Sequence, residues 1–506
     1  MSEDRSSGVE AAPGIGDTLT GASVAASTAG SLAMYVLIKA RGILLVPLYA
    51  WLLAPREIGI VNLAAAVATL LAPLLHLGLP TGMLVELPHL RDREAETRSY
   101  ATGLAAVGAV MLLAVLVIPW GLRNAGGAAL DDVRPYAAAV ALFAAALALR
   151  EVAQIVPQLR RQTRYLAVLS LSIEYGSAAL GLALVALGGG PGGLLWGTGI
   201  VMTAGALAAV HRSLALTGRA AGWDRPFLRR ALGIGLPMLV ITTAFTVVMS
   251  VDRFFLARYQ GAATVGVYSI GYTVASGVLA LAATVNLVFL PVAVKLLHGS
   301  RERLLTFIQE SIRFLILALG LCVAGAFLSG APAVRALAGP AYEAAGLLLP
   351  YMVIGYALFT VGQLLQWIPM AVTRRVRGVV ASHLAVAILN IALGAALIPR
   401  LGMSGAAAAS VASYAAGVVL MALVARSAVP ALRFRPALPA IALAVGAALA
   451  CSRLPLSAAT PILLAAAADV ALVILYVAAG IAIGAVRRRD FDLIRSVVAG
   501  VVPATD

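Results

Sequence analysis

The chain has 506 residues, 61% of them hydrophobic and only 12% charged, with a mean hydropathy of +0.97. A soluble domain carries roughly 25% charged and about 45–50% apolar residues, so no water-surrounded core buries this much Leu, Ala and Val, and lipid must be the solvent for most of the chain. The net charge of +15 does not indicate nucleic acid: the Lys and Arg form small clusters between apolar stretches, as in a positive-inside signature that also attracts anionic lipid head groups.

The first residues, to about Thr20, are polar and lack a basic leader, so the first apolar helix is expected to be retained. About twenty apolar residues are needed to cross the hydrocarbon core at about 1.5 Å per residue. On that rule spans are predicted near 27–53, 59–87, 100–122, 135–157, 166–187, 192–211, 232–257, 264–294, 311–330, 345–370, 379–398, 403–425, 437–452 and 461–486. The expected class is therefore all-α, a polytopic membrane protein with about fourteen transmembrane helices. The short, Ala-rich thirteenth span carries the weakest signal.

Basic residues gather in alternate loops: Arg91, Arg93 and Arg98 after the second span, Arg160, Arg161 and Arg164 after the fourth, Arg374, Arg375 and Arg377 after the tenth. Both ends of the chain are accordingly expected in the cytoplasm. Two repeats suggest themselves. Arg56-Glu57-Ile58-Gly59-Ile60-Val61 opens the second span and Thr264-Val265-Gly266-Val267-Tyr268-Ser269 the eighth, and the Gly188–Gly193 turn answers the one at Pro399–Gly405. The organisation read from this is a cytoplasmic tail (1–26), a six-helix lobe (27–215), a cytoplasmic linker (216–231), a second, pseudo-symmetric six-helix lobe (232–430), two further transmembrane helices (431–486) and a cytoplasmic tail (487–506).

An ionisable group in mid-membrane costs a few kcal/mol or more by insertion scales of about 2.5–3.5 kcal/mol, which makes it a functional candidate. Lys39 and Arg41 lie in the first span and suit an anionic ligand such as a diphosphate. Two positions apart, they face different ways. Asp252 and Arg253 lie near the outer end of the seventh span; Asp252 would take a proton or sodium ion, pair with a first-span cation, or cap a helix end. Arg150, Glu151 and Gln154 on the fourth span and Glu174 with Tyr175 on the fifth share the cytoplasmic half, where Arg150 and Glu174 would form either a bridge or a substrate contact. Asp469 in the fourteenth span has no evident partner. Asn286, Gln363, Gln366, Trp367, Asn390 and Tyr414 would serve as sugar contacts or interhelical hydrogen bonds.

No enzyme is expected. The Gly188–Gly193 turn lacks the Lys-Ser/Thr of a phosphate-binding loop. The five histidines (His76, His89, His211, His298, His383) form no HExxH, so no metal site and no catalytic residue is expected, and a lone His76 or His383 reads as an interhelical hydrogen-bonding group. Cys322 and Cys451 lie in apolar segments and read as small core residues.

Four stretches carry a resemblance: Lys39-Ala40-Arg41-Gly42 through Leu52-Leu53-Ala54-Pro55-Arg56-Glu57-Ile58-Gly59 to Leu77-Gly78-Leu79; Val251-Asp252-Arg253-Phe254-Phe255-Leu256-Ala257 through Val265-Gly266-Val267-Tyr268-Ser269; Gln158 to Tyr165; and Ile398 to Ala407. Over residues 27–430 the chain resembles the polysaccharide, or lipid-linked oligosaccharide, flippases of the multidrug/oligosaccharidyl-lipid/polysaccharide exporter superfamily. That resemblance implies two lobes around a V-shaped cavity open to alternate sides, with Lys39, Arg41 and Asp252 on cavity-lining helices. It implies an undecaprenyl-diphosphate-linked oligosaccharide as cargo in the inner (cytoplasmic) membrane, with glycosyltransferases or a glycan polymerase of the same pathway as partners. It implies no cofactor beyond a coupling proton or sodium ion, carried by Asp252 or Asp469. A cation-coupled multidrug exporter and a peptidoglycan-precursor flippase are the alternatives.

Overall fold

The computed structural model describes residues 37–38, 41–90, 92–124, 127, 130–218, 222–279, 301–373 and 376–487. Lys39, Asn286, the first tail, the later part of the eighth span and nearly all of the second tail lie outside them. Among the described residues the chain is helical throughout, with no strand. Eleven stretches are long and apolar enough to cross a membrane.

The first half comprises α1 (Arg41–Leu52), α2 (Pro55–His76), α3 (Leu79–Glu86), α4 (Arg93–Asn124), α5 (Ala137–Ala153), α6 (Ile155–Leu159), α7 (Thr163–Leu184) and α8 (Gly190–Thr217). The second comprises α9 (Arg225–Gln260), α10 (Ala262–Ala275), α11 (Arg301–Ala338), α12 (Glu343–Thr373), α13 (Val376–Leu401) and α14 (Met403–Ala428), followed by α15 (Leu438–Ser452) and α16 (Ile462–Ala482). Seven helices (α4, α8, α9, α11, α12, α13 and α14) outrun the predicted spans because hydropathy detects only the lipid-facing middle. At about 1.5 Å per residue, the 36 residues of α9 extend about 54 Å, past a hydrocarbon core of about 30 Å. The helix starts where its polar residues cap it: Asp224 accepts from the Phe227 N–H at 2.9 Å, and Pro226 occupies the first turn. The linker expected at 216–231 is therefore shorter, with residues from Arg225 onward already helical.

Two predicted spans are broken. Residues 59–87 form α2 and α3, separated by Leu77 (φ 53°) and Gly78 (φ 70°); residues 135–157 form α5 and α6, separated at Gln154. The apolar stretch Thr163–Thr217 folds back as the α7–α8 hairpin, with Gly188 at φ 89° and Gly190 at φ 50° in the turn. A Gly at φ 58°, Gly402, likewise joins α13 to α14.

The halves meet through α2. At the Pro55 end, a Cβ on Gly59 would lie 1.7 Å from the Ala262 carbonyl oxygen, and one on Gly266 would lie 1.8 Å from that of Pro55. Only glycine permits α2 and α10 to cross this closely. At the other end, hereafter the α3 end, Gly78 and Gly82 press on the backbones of Gly235 and Ala231 of α9. Arg230 Nε donates to Glu86 at 2.8 Å, and Ser99 of α4 donates to Asp224 at 2.8 Å. The last two helices dock on α11: Tyr476 donates to the Leu317 carbonyl at 3.0 Å, and Arg487 pairs with Glu310 at 2.6 Å.

Candidate functional site

Between these two crossings lies a cavity of about 210 Å³, lined by Thr69, Ala72, Pro73 and His76 of α2, Leu147 and Glu151 of α5, and Thr242, Phe245 and Thr246 of α9. Both halves of the chain thus contribute walls. α2 runs along the cavity from Pro55 in its first turn to His76 at its end, with Pro73 inside it. The Gly78 N–H donates to His76 Nδ1 at 3.1 Å, so the amide just past the end of the helix is held by a side chain instead of a carbonyl of the last turn. His76 Nε2 stands 3.0 Å from Glu151 Oε2. The imidazole is buried, whereas the Glu151 side chain is 51% exposed, so the pair joins the packed interior to the open cavity.

Arg41 meets Glu174 twice. Its Nη1 lies 3.0 Å from Oε2 and donates to the Glu174 backbone carbonyl at 3.0 Å. Arg150 Nη1 approaches the other carboxylate oxygen at 3.7 Å. This cluster joins α1, α5 and α7, and Tyr175 adds a hydrogen bond to the Leu37 carbonyl at 3.1 Å. The three side chains retain 29%, 24% and 21% exposure, so they are bridged without being sealed. None of the three is among the residues that line the cavity.

Asp252 and Arg253 lie in the interior of the second half. Tyr268 donates to Asp252 Oδ2 at 2.7 Å, and the Arg253 N–H donates to Oδ1 at 2.8 Å. Asp252 caps no helix end, since α9 runs on to Gln260, and it meets no first-span cation among the described residues. Arg253 donates to the Met249 carbonyl at 2.7 Å and sits 4.3 Å above the Tyr272 ring, a cation–π contact. Tyr272 packs on Tyr356 at 5.0 Å. A second aromatic run leads to the cavity wall: Tyr414 against Phe359 at 5.6 Å, and Phe359 against Phe245 at 5.3 Å.

Asp469 finds the partner that sequence reasoning lacked. Ser329 Oγ lies 2.9 and 2.7 Å from its two carboxylate oxygens, pinning α16 to α11 away from the cavity. Asn390 donates to Ser413 at 2.9 Å, and Gln366 meets His383 at 2.8 Å; these polar groups tie helices together. The His76–Glu151 pair is what sequence reasoning passed over. Both residues are ionisable groups in apolar spans, and matching their depths would have brought them together. Among the described residues no cluster of three His, Cys, Asp or Glu is placed to hold a metal.

The sequence model of the family described as "Polysaccharide biosynthesis protein" matches residues 24–297. No curated protein sequence matches significantly. Among solved structures, the chain is similar to a lipid II flippase, MurJ, in an inward closed conformation, with a TM-score of 0.71 at 10% identity, covering 93% of this chain and 99% of that one. It is also similar to a multidrug resistance MATE family transporter of the MOP superfamily. For the inward-facing conformation the TM-score is 0.61 at 16% identity, covering 79% of this chain and 95% of that one. For the outward-facing conformation it is 0.57 at 15% identity, covering 82% and 97%. At these identities the likeness is one of fold.

Proposed function

The chain belongs to the polysaccharide biosynthesis protein family, and from that premise we propose that it translocates a lipid-linked oligosaccharide, undecaprenyl-diphosphate-linked, from the cytoplasmic to the outer leaflet of the inner membrane. The observation that carries this reading is the cavity walled by both halves, with a separate close crossing of the halves towards each end of α2. Unaided flipping is slow because sugar and diphosphate must shed water inside hydrocarbon. A polar space whose two closures open in turn removes that barrier without covalent chemistry, provided the lobes rock about it. The α3 end, flanked by Arg93, Arg160, Arg212 and Arg230, is the cytoplasmic one in this reading.

Arg41 and Arg150 flank the single carboxylate of Glu174, leaving a net +1 (two cations less one anion). Together with Lys39 they are the proposed seat of the diphosphate, while Thr69, Thr242, Thr246 and Glu151 offer the sugar its hydrogen bonds. The pathway's glycosyltransferases and polymerase are the proposed partners, and a proton or sodium ion the proposed coupling ion.

A rival reading, export of cationic drugs, is favoured by one observation: the lining includes the carboxylate of Glu151 and the ring of Phe245. One assay separates the two. Proteoliposomes holding the full chain and a fluorescent polyprenyl-diphosphate disaccharide should expose the sugar on the far leaflet, and changing Lys39 and Arg41 together to alanine should abolish this while the protein still inserts. Full transport by that double variant would end the cation role. Export of drugs with no movement of the glycolipid would establish the rival.

A further inference from the structure

Two observations converge on one nitrogen atom. The Gly78 N–H donates to Nδ1 of His76, so that atom carries no proton, and the single proton of the neutral ring lies on Nε2, facing Glu151. A second proton on the ring has only Nδ1 to occupy. There it would set N–H against N–H and leave the Gly78 amide without its acceptor. Gly78 is also the residue whose backbone presses on Gly235 of α9. The nitrogen that holds the α2–α3 bend is therefore tied to the contact that closes the α3 end.

We infer that His76 and Glu151 form a proton-binding site that controls closure at the α3 end. A proton taken up from water forms an N–H bond at Nδ1 of His76 as the hydrogen bond from Gly78 breaks, while Nε2 keeps the proton it already holds and the Glu151 carboxylate beside it stays ionised. The resulting imidazolium is balanced by the Glu151 carboxylate. The Leu77–Gly78 bend, no longer held, lets α3 separate from α9. Because the closed form excludes the second proton, acid favours the open form.

The charged and titratable surroundings do not supply a competing switch. On α5, Arg150 is turned to Glu174 of α7. On α9, the wall facing the pair is Thr242, Phe245 and Thr246. On α3, Glu86 is held by Arg230, and on α4 Tyr100 is buried in the apolar cluster with Leu79 and Met83. α8 and α10 meet α2 at its other end, near Glu57 and Gly59.

The inference goes beyond the choice of cargo and is tested without any. The full chain in lipid nanodiscs, with Cys322 and Cys451 changed to alanine, carries spin labels on Val85→Cys and Arg229→Cys, one on each side of the α3–α9 contact. Between about pH 8 and about pH 5, the label distance should shift to a longer population. His76→Asn, whose side-chain oxygen still accepts from Gly78 but takes no proton, should keep the short distance throughout. Glu151→Gln should move the midpoint down by about one pH unit, a tenfold change in proton concentration, because the imidazolium loses its counter-charge. A pH-invariant wild-type distance, or His76→Asn opening as wild type does, would overturn the inference. Should His76→Asn not fold, an unshifted Glu151→Gln midpoint overturns it alone. Since no cargo is present, a failed glycolipid assay leaves this result readable.

Discussion

Replacing Gly59 by alanine tests whether the α2–α10 crossing is a closure of the transport path. The added Cβ would stand 1.7 Å from the Ala262 carbonyl oxygen. Ordinary contact distances of about 3.5 Å require the two backbones to part by about 1.5 Å or more, and because the obstacle is backbone, no side-chain rotation relieves it. Overpacking of this kind costs about 1–3 kcal/mol, an about 5- to 150-fold loss of the closed population at the Pro55 end relative to the open one. Spin labels on Asp131→Cys and Ala341→Cys flank that closure, next to the Arg56–Asp132 pair and the Tyr342 contact with Leu53. The variant should show a longer label distance and a lower melting temperature. Gly266→Ala should do the same, since its Cβ meets Pro55. The double variant should cost less than the sum, because one separation of the helices accommodates both methyl groups. An unchanged label distance in Gly59→Ala, or strictly additive costs, would refute the idea that this crossing is one tight closure.

Three further substitutions probe the buried polar anchors. Tyr268→Phe leaves one oxygen of the buried Asp252 carboxylate without its hydroxyl donor and should lower stability by about 1–3 kcal/mol, whereas Asp252→Asn, which retains an acceptor for Tyr268, should cost less; unfolding at the wild-type temperature by Tyr268→Phe would contradict this. Ser329→Ala removes the donor that both oxygens of Asp469 share, so α16 should exchange its amide hydrogens faster while α13 and α14 do not. Equal protection of α16 in variant and wild type would show that Asp469 is held by something else.

How far these features could be read beforehand depends on how far apart in the chain their causes lie. The long helices were legible because each lies in an apolar stretch long enough to cross lipid, and even the weakly marked thirteenth span forms α15 close to its expected bounds of 437–452. The break in the second span was not legible. Leu77 and Gly78, between His76 and Pro80, sit inside a stretch apolar enough to read as one span, and the α2–α3 bend accompanies contact with Gly235, more than 150 residues away. Arg150 and Glu174 could be matched because they lie on consecutive spans at equal depth; Arg41, more than 130 residues from Glu174, could not. Asp469 remained unexplained for the same reason, its partner Ser329 being 140 residues away. Gly59 and Gly266 were recognisable as repeated positions, but a repeat places equivalent residues in equivalent halves and does not say that they touch.

That they do touch has a mechanical consequence. Both closures of the cavity are made by one continuous stretch, α2 and α3, against two successive helices, α10 at Gly59 and α9 at Gly78 and Gly82. Each crossing brings small residues into backbone contact and is flanked by large buried side chains, Leu79, Met83 and Phe227 at the α3 end and Leu53, Ile58 and Val265 at the other, so separating the helices at either end exposes apolar surface that the opening event must offset. The large core cluster ties α2 to α5 and α10, and α10 to α12, through Leu63, Val67, Ala144, Val265 and Met352, whereas the α3 end packs in a separate cluster, so opening the α3 end leaves the large cluster intact. A switch at Leu77–Gly78 then acts where it has leverage: it loosens the crossing at the α3 end while the Gly59–Gly266 crossing, about five helical turns along α2 at 3.6 residues each, stays shut. The α3 end can thereby open while the other end stays shut, as the proposed alternating access requires.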